Sequence, residues 1–143
     1  MKELYISYEL QNAVNLIRFG LAGIQDEKIF NAFLHLPLLL LSSGYERLLK
    51  ALICCENHEM NGKFPELNDI KGPGHRIDKL LEKIYPFFKE KYLQKEEFKK
   101  DYDLITNNSR LKAMIKILSD FASHDRYFFL DIIVENNKMK SHV

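Results

Sequence analysis

The stretch "SDFASHDRYFFLDII", residues 119–133, sets His124, Asp125 and Arg126 side by side. A histidine can pass a proton and an arginine can grip a phosphate through its planar fork, so the trio suits acid–base work on a phosphodiester. A second group lies in "SSGYERLLKALI", where Tyr45, Glu46, Arg47 and Lys50 adjoin one another. Glu46 and Lys50 are four residues apart, in the order that favours an ion pair along one helix face. Burying such charges is costly unless they are paired, which leaves two readings: a polar network inside a bundle, or the wall of a cleft. A third group, "GPGHR", brings His75 and Arg76 behind a glycine-rich turn, where free N–H groups at a helix start can receive an anion. The candidates for catalysis are therefore His75, His124 and Arg126. Those for ligand binding are Tyr45, Glu46, Arg47, Lys50, His75, Arg76 and Arg126.

Each group must be held by some element, and the spacing of apolar residues predicts helices throughout. Leu4, Tyr5, Tyr8, Leu10, Val14, Ile17, Leu21 and Ile24 form a helical stripe over about residues 3–24, with Gly20 and Gly23 weakening its end. Residues 28–57 form the most hydrophobic segment, a central helix that Pro37 is expected to kink or divide. The run Leu38 to Leu41 is apolar in every direction and belongs at the centre of the bundle or of a dimer interface. Residues 57–74 read as a long loop, functional or mobile. A helix restarts with Ile77, Leu80, Leu81 and Ile84 facing inward, and Pro86 is expected to interrupt it. The charged stretch "KEKYLQKEEFKKDYD" reads as a solvated helix or a lid of low stability. Ser109 is the expected cap of a helix over residues 110–118, with Leu111, Met114, Ile115 and Leu118 inward. A last helix is expected over residues 126–135, capped by Ser123 and buried through Tyr127, Leu130, Ile133 and Val134. On that reading His124, Asp125 and Arg126 form a helix entrance before they form a triad. His124 and Arg126 point about 200° apart if both are helical, so they converge on one phosphate only where the segment start is not helical.

Composition sets the outer bounds. The chain has 143 residues, 46% hydrophobic and 29% charged, which is a globular composition and the size of one domain. The expected core spans about residues 3–135, with a flexible tail at 136–143. The net charge of +1 excludes a global pull on nucleic acid or anionic lipid, so any such contact needs a local patch. Arginine occurs only at Arg18, Arg47, Arg76, Arg110 and Arg126. Cys54 and Cys55 are adjacent and point about 100° apart on a helix, which suits reduced, half-buried thiols over a disulfide or a metal site. The five histidines make no HxxxH or HExxH, and no Walker loop or GxSxG occurs, so neither a metal nor a cofactor is expected. The longest apolar run contains Pro37 and is too short for a membrane span. Without a signal peptide at the N-terminus, the expected compartment is the cytoplasm.

"SSGYERLLKALI", a long loop, "GPGHRIDKLLEKI" and a C-terminal "LSDFASHDRYFFLDII" occur in an order and spacing that resemble HEPN-type helical domains, small bacterial proteins related to toxin–antitoxin and abortive-infection systems. The similarity covers roughly residues 30–135. It implies an all-α, up-and-down bundle of about four main helices plus one or two short ones, often homodimeric. In many members it also implies metal-independent RNA cleavage by an arginine followed, after roughly four to six residues, by a histidine on a late helix.

That motif is absent here. The window after Arg18 holds Gly23, Ile24 and Gln25, and the one after Arg47 holds Leu52, Ile53 and Cys54. After Arg76 stand Leu81, Glu82 and Lys83, after Arg110 Ile115, Lys116 and Ile117, and after Arg126 Asp131, Ile132 and Ile133. Three readings follow: a homodimeric binding module for RNA, a nucleotide or an antitoxin-type protein; a ribonuclease with an atypical pair such as His75 or His124 with Arg126; or a purely structural interaction protein.

Overall fold

The computed structural model describes residues 1–26, 34–91, 93–124, 127, 130, 133 and 134. These residues form an all-α bundle with six helices: α1 (Lys2–Gln25), α2 (His35–Asn61), α3 (Leu67–Lys71), α4 (Ile77–Lys91), α5 (Glu96–Asn107) and α6 (Ser109–Ser123). No strand occurs among them.

α1 and α2 pack as an antiparallel hairpin. The pairs that meet descend on one helix as they rise on the other: Gly23 with Pro37, Gly20 with Leu41, Ile17 with Gly44, and Glu9 with Arg47. A Cβ placed on Gly44 would stand 2.7 Å from Ile17 Cγ1 and 3.0 Å from the Ala13 carbonyl oxygen. One on Gly20 would stand 2.6 Å from Leu41 Cγ. The expectation that Gly20 and Gly23 weaken the end of α1 is thus corrected: the helix runs through both to Gln25, because these are the positions where α2 lies against its backbone.

α2 begins at His35, so Pro37 falls in its first turn. There a proline removes no intrahelical donor, and the helix continues undivided to Asn61, past the expected end at Asn57. Gly62, at φ 66°, takes the left-handed conformation that closes the helix, its N–H donating to the His58 carbonyl at 2.9 Å. Residues 62–76 then carry the chain back along the bundle. Phe64 stacks on His58 with ring centroids 4.5 Å apart, and Lys83 Nζ reaches the Asp69 carbonyl at 2.9 Å. As a result α4 runs parallel to α2: His75, just before α4, meets Glu46, and Lys91, at its end, meets Glu56 and Glu59.

Pro86 does not interrupt α4, which extends to Lys91. The one hydrogen bond it removes is offset by burial on both sides of it in sequence, with Ile84 buried and Phe88 packed on the core. That core is formed by Leu41, Leu49, Ile53, Ile77, Leu80, Ile84 and Leu118, from α2, α4 and α6. α5 contributes no buried residue, in keeping with a weakly held helix. Asn108, not Ser109, caps α6, its Oδ1 accepting from Leu111 N–H at 2.9 Å.

α6 continues to Ser123, which therefore ends a helix. Its hydroxyl donates to the Ser119 carbonyl at 2.8 Å. Of the stripe expected to bury a last helix, Tyr127, Leu130, Ile133 and Val134 are each more than half exposed. The rest of that helix, and the tail at 136–143, lie outside the described residues.

Candidate functional site

The start of α4 is held by charge against two helices at once. On the α2 side, Glu46 lies three residues before the buried Leu49, which turns its side chain toward α4 and leaves it 13% exposed. Lys50, one turn later and 21% exposed, donates to Glu46 Oε1 at 2.8 Å. His75 Nδ1 lies 3.0 Å from Oε2 and 3.1 Å from Oε1 of the same carboxylate. Burial pushes the Glu46 carboxyl up, but the hydrogen bonds from Lys50 and His75, with their positive charges, outweigh it and hold the group below its ordinary value. Glu46 is therefore an acceptor only, and Nδ1 of His75 must carry the proton it donates. The ring is 54% exposed, and among the described residues Nε2 makes no hydrogen bond.

On the α6 side, Asp78 gathers four donors. Arg76 grips it bidentately, Nε to Oδ1 at 2.9 Å and Nη2 to Oδ2 at 2.5 Å. Ser119 Oγ donates to Oδ1 at 2.6 Å, and the Lys79 N–H at 2.9 Å. The Arg76 guanidinium is the first reason that the Asp78 carboxyl sits far below the usual carboxylate range. Ser119 and the Lys79 N–H add to it against a desolvation that works the other way. Ser119 is fully buried, so its hydroxyl has this carboxylate as the group that satisfies it across the α4–α6 contact. The next residue, Asp120, pairs with Lys116 one turn earlier at 2.6 Å, and that bond, with the charges of Lys116, Arg76 and His124, draws its carboxyl down. His124 is the C-cap of α6, its N–H bonded to the Asp120 carbonyl at 2.9 Å.

The structure thus joins Glu46, Lys50 and His75, and sets Arg76 beside them. It separates the rest of the sequence-derived set. Arg47, 49% exposed, turns to the other side of α2 and pairs with Glu9 of α1 at 2.7 Å. Adjacent helical residues point about 100° apart, so Glu46 and Arg47 cannot share a wall. Tyr45 packs against the apolar core and is not part of the polar cluster. His124 is the C-cap of α6, and Asp125 and Arg126 lie outside the described residues. Ser119 was missed as a site residue. Its signal was a polar side chain inside the stripe formed by Leu118, Phe121 and Ala122.

Cys54 and Cys55 are free and half-buried. Burial raises both thiols, with Cys55 beside Cys54 and Glu56 and Glu59 beside Cys55 adding to the shift, so neither is an activated nucleophile. No group of three His, Cys, Asp or Glu among the described residues is placed to hold a metal, and no helix among them is long and apolar enough to cross a membrane. Compared with known proteins, the chain matches no family model, no curated sequence and no solved structure.

Proposed function

We propose that the chain is a HEPN-like binding module that receives a phosphate-bearing ligand, RNA or a nucleotide, where α4 begins against α2. The observation that carries the reading is the clasp of His75 by Glu46. A carboxylate that is mostly buried fixes the ring through Nδ1 and turns the other nitrogen to the open side. Arg76 stands next to it with its Nε and Nη2 committed to Asp78, which leaves Nη1 for a ligand oxygen. Lys79 and Lys83 join Arg76 around a shallow depression over Gly72 and Pro73; Glu82 lies in the same lining and pairs with Lys79 at 3.0 Å, so the local patch is positive by its excess of cations over that one carboxylate. A homodimer belongs to the same reading. Leu4, Tyr5, Tyr8 and Phe19 stand exposed on α1, an apolar face suited to a second copy or to an antitoxin-type protein.

Fluorescence anisotropy of a labelled single-stranded RNA, over a series of salt concentrations, tests this. Binding should weaken steadily with salt. His75→Ala and Arg76→Met should each weaken it by about tenfold, the loss of one charge-assisted contact, with circular dichroism unchanged. Salt-insensitive binding, or variants that bind like the wild type, would end the reading.

The same clasp favours a second one, metal-independent RNA cleavage. A histidine held through Nδ1–H by a carboxylate presents Nε2 in the tautomer that accepts a proton from a ribose hydroxyl. In the presence of a metal chelator the wild type should cleave RNA and both His75→Ala and Glu46→Gln should not. An inert wild type, or undiminished cleavage in either variant, removes the enzyme.

A further inference from the structure

α2, α4, α5 and α6 surround a cavity of about 480 Å³. That is within the range of small-molecule sites, about 300–1,000 Å³, which combine apolar walls with a few placed polar groups. Side chains such as Leu52, Phe88 and Ile115 make most of the wall apolar. The polar groups are phenols. Tyr85 of α4 and Tyr102 of α5 both line the space, their rings edge to face with centroids 6.1 Å apart. Among the described residues neither hydroxyl makes a hydrogen bond. Burial pushes the Tyr85 phenol up, with Tyr102 and Glu82 beside it adding to the shift. Its hydroxyl therefore stays protonated, a donor partly withdrawn from water. Such a donor is costly to leave without an acceptor, so an oxygen placed against the two phenols would stabilise both.

Charge at the edge of the cavity does not choose the ligand, because both signs are present. Asp101 lies on the lining, Glu82 stands beside Tyr85, and Lys95 Nζ is 5.8 Å from the ring centroid of the lining residue Phe98. The phenols do choose. An ammonium group has no lone pair with which to accept from them. A carboxylate accepts, but it must lose its water in an apolar space beside Glu82, which costs more than the bonds return. A carbonyl oxygen accepts twice and carries no charge to desolvate. We propose that the cavity binds an uncharged aliphatic carbonyl compound, its chain between α2, α4 and α6 and its oxygen accepting from Tyr85 and Tyr102. α5 is the lid. It carries Tyr102, and it is suited to open because none of its residues is buried.

Isothermal titration at neutral pH with 2-undecanone, undecylamine and undecanoate, the last two below their micelle concentrations, reads the preference. The wild type should take one 2-undecanone per chain, about tenfold more tightly than either charged compound. In infrared spectra the ketone band should fall below its frequency in hydrocarbon, the mark of a carbonyl that accepts hydrogen bonds. Tyr85→Phe and Tyr102→Phe keep the rings on the wall and remove only the hydroxyls. Each should leave circular dichroism unchanged, weaken 2-undecanone by about tenfold and reduce the band shift, with undecylamine unaffected. Met114, on the rim and 56% exposed, offers a variant that leaves the core alone: Met114→Trp should block the mouth and remove binding. Four outcomes would each overturn the proposal: no binding of the ketone, a charged compound that binds as tightly, an unshifted band in the wild type, or phenylalanine variants that bind like it.

Discussion

Along the α1–α2 seam the two backbones come into contact through Gly20, Gly44 and Ala13. Beneath α5 the same chain leaves about 480 Å³ between its helices. The seam closes because side chains are missing where the axes approach. Glycine in a helix interior costs about 1 kcal/mol relative to alanine, and the contacts it admits must outweigh that. α4, α5 and α6 contain no glycine, and leucine, isoleucine, phenylalanine or tyrosine occupies nearly every position that faces the gap. Large side chains there act as spacers between the helix axes. The open space therefore follows from the sizes of the residues that line it, as the close α1–α2 seam follows from its glycines.

A matched pair of substitutions puts this difference to the test. Gly44→Val inserts atoms where 2.7 Å separates an added Cβ from Ile17, so it should destabilise by about 3 kcal/mol in urea unfolding. Ile115→Phe adds volume on the cavity wall, where room exists, and should change stability by less than about 1 kcal/mol. Similar losses in both would mean that the two regions are equally full.

The polar clamp at the start of α4 lies between these extremes. Ser119→Ala leaves Asp78 with one fewer donor in a half-buried setting and should cost about 2 kcal/mol. Its pH dependence is set by the lowered carboxyls of Asp78 and Glu46. A carboxylate whose folded value is depressed stabilises the fold above its unfolded value and loses that contribution as the pH drops through the folded one. Stability should then hold through neutral pH and decline as acid falls below the ordinary values, 4.5 for Glu46 and 3.8 for Asp78. Asp78→Asn should flatten the lower part of that decline in an acid titration followed by circular dichroism. An unchanged slope would show that the clamp adds nothing at the α4–α6 contact.

The helices themselves could be read from apolar spacing, and α1 falls within a residue of expectation at each end. What misled was punctuation. Pro37 and Pro86 stand in helices because one occupies a first turn and the other is flanked by buried residues, facts that belong to position and packing. The polar site was half legible. Glu46 and Lys50 follow the four-residue rule of a single helix. His75 reaches Glu46 across 29 residues, through a connection that reverses the chain, and no local rule anticipates that. The bidentate Arg76–Asp78 pair spans two residues, a spacing that fails within a helix and works here because Arg76 precedes the first turn. The cavity could not be read at all, since a stripe that lines a gap and a stripe that fills a core have the same period.

The smallest expected effect bears on why Arg47 belongs to the seam and not to the site. Its ion pair with Glu9 is 49% and 39% exposed on its two sides, and pairs in that setting contribute about 0–1 kcal/mol. Arg47→Met keeps most of the stem that lies along α1 and removes only the charge, so urea unfolding should shift by no more than about 0.5 kcal/mol. On the proposed reading, RNA binding should stay unchanged, because α2 turns this side chain away from His75. If Arg47→Met instead weakened binding while leaving the fold intact, the basic surface would have to extend from α4 around α2 to α1. The seam would then carry function as well as packing.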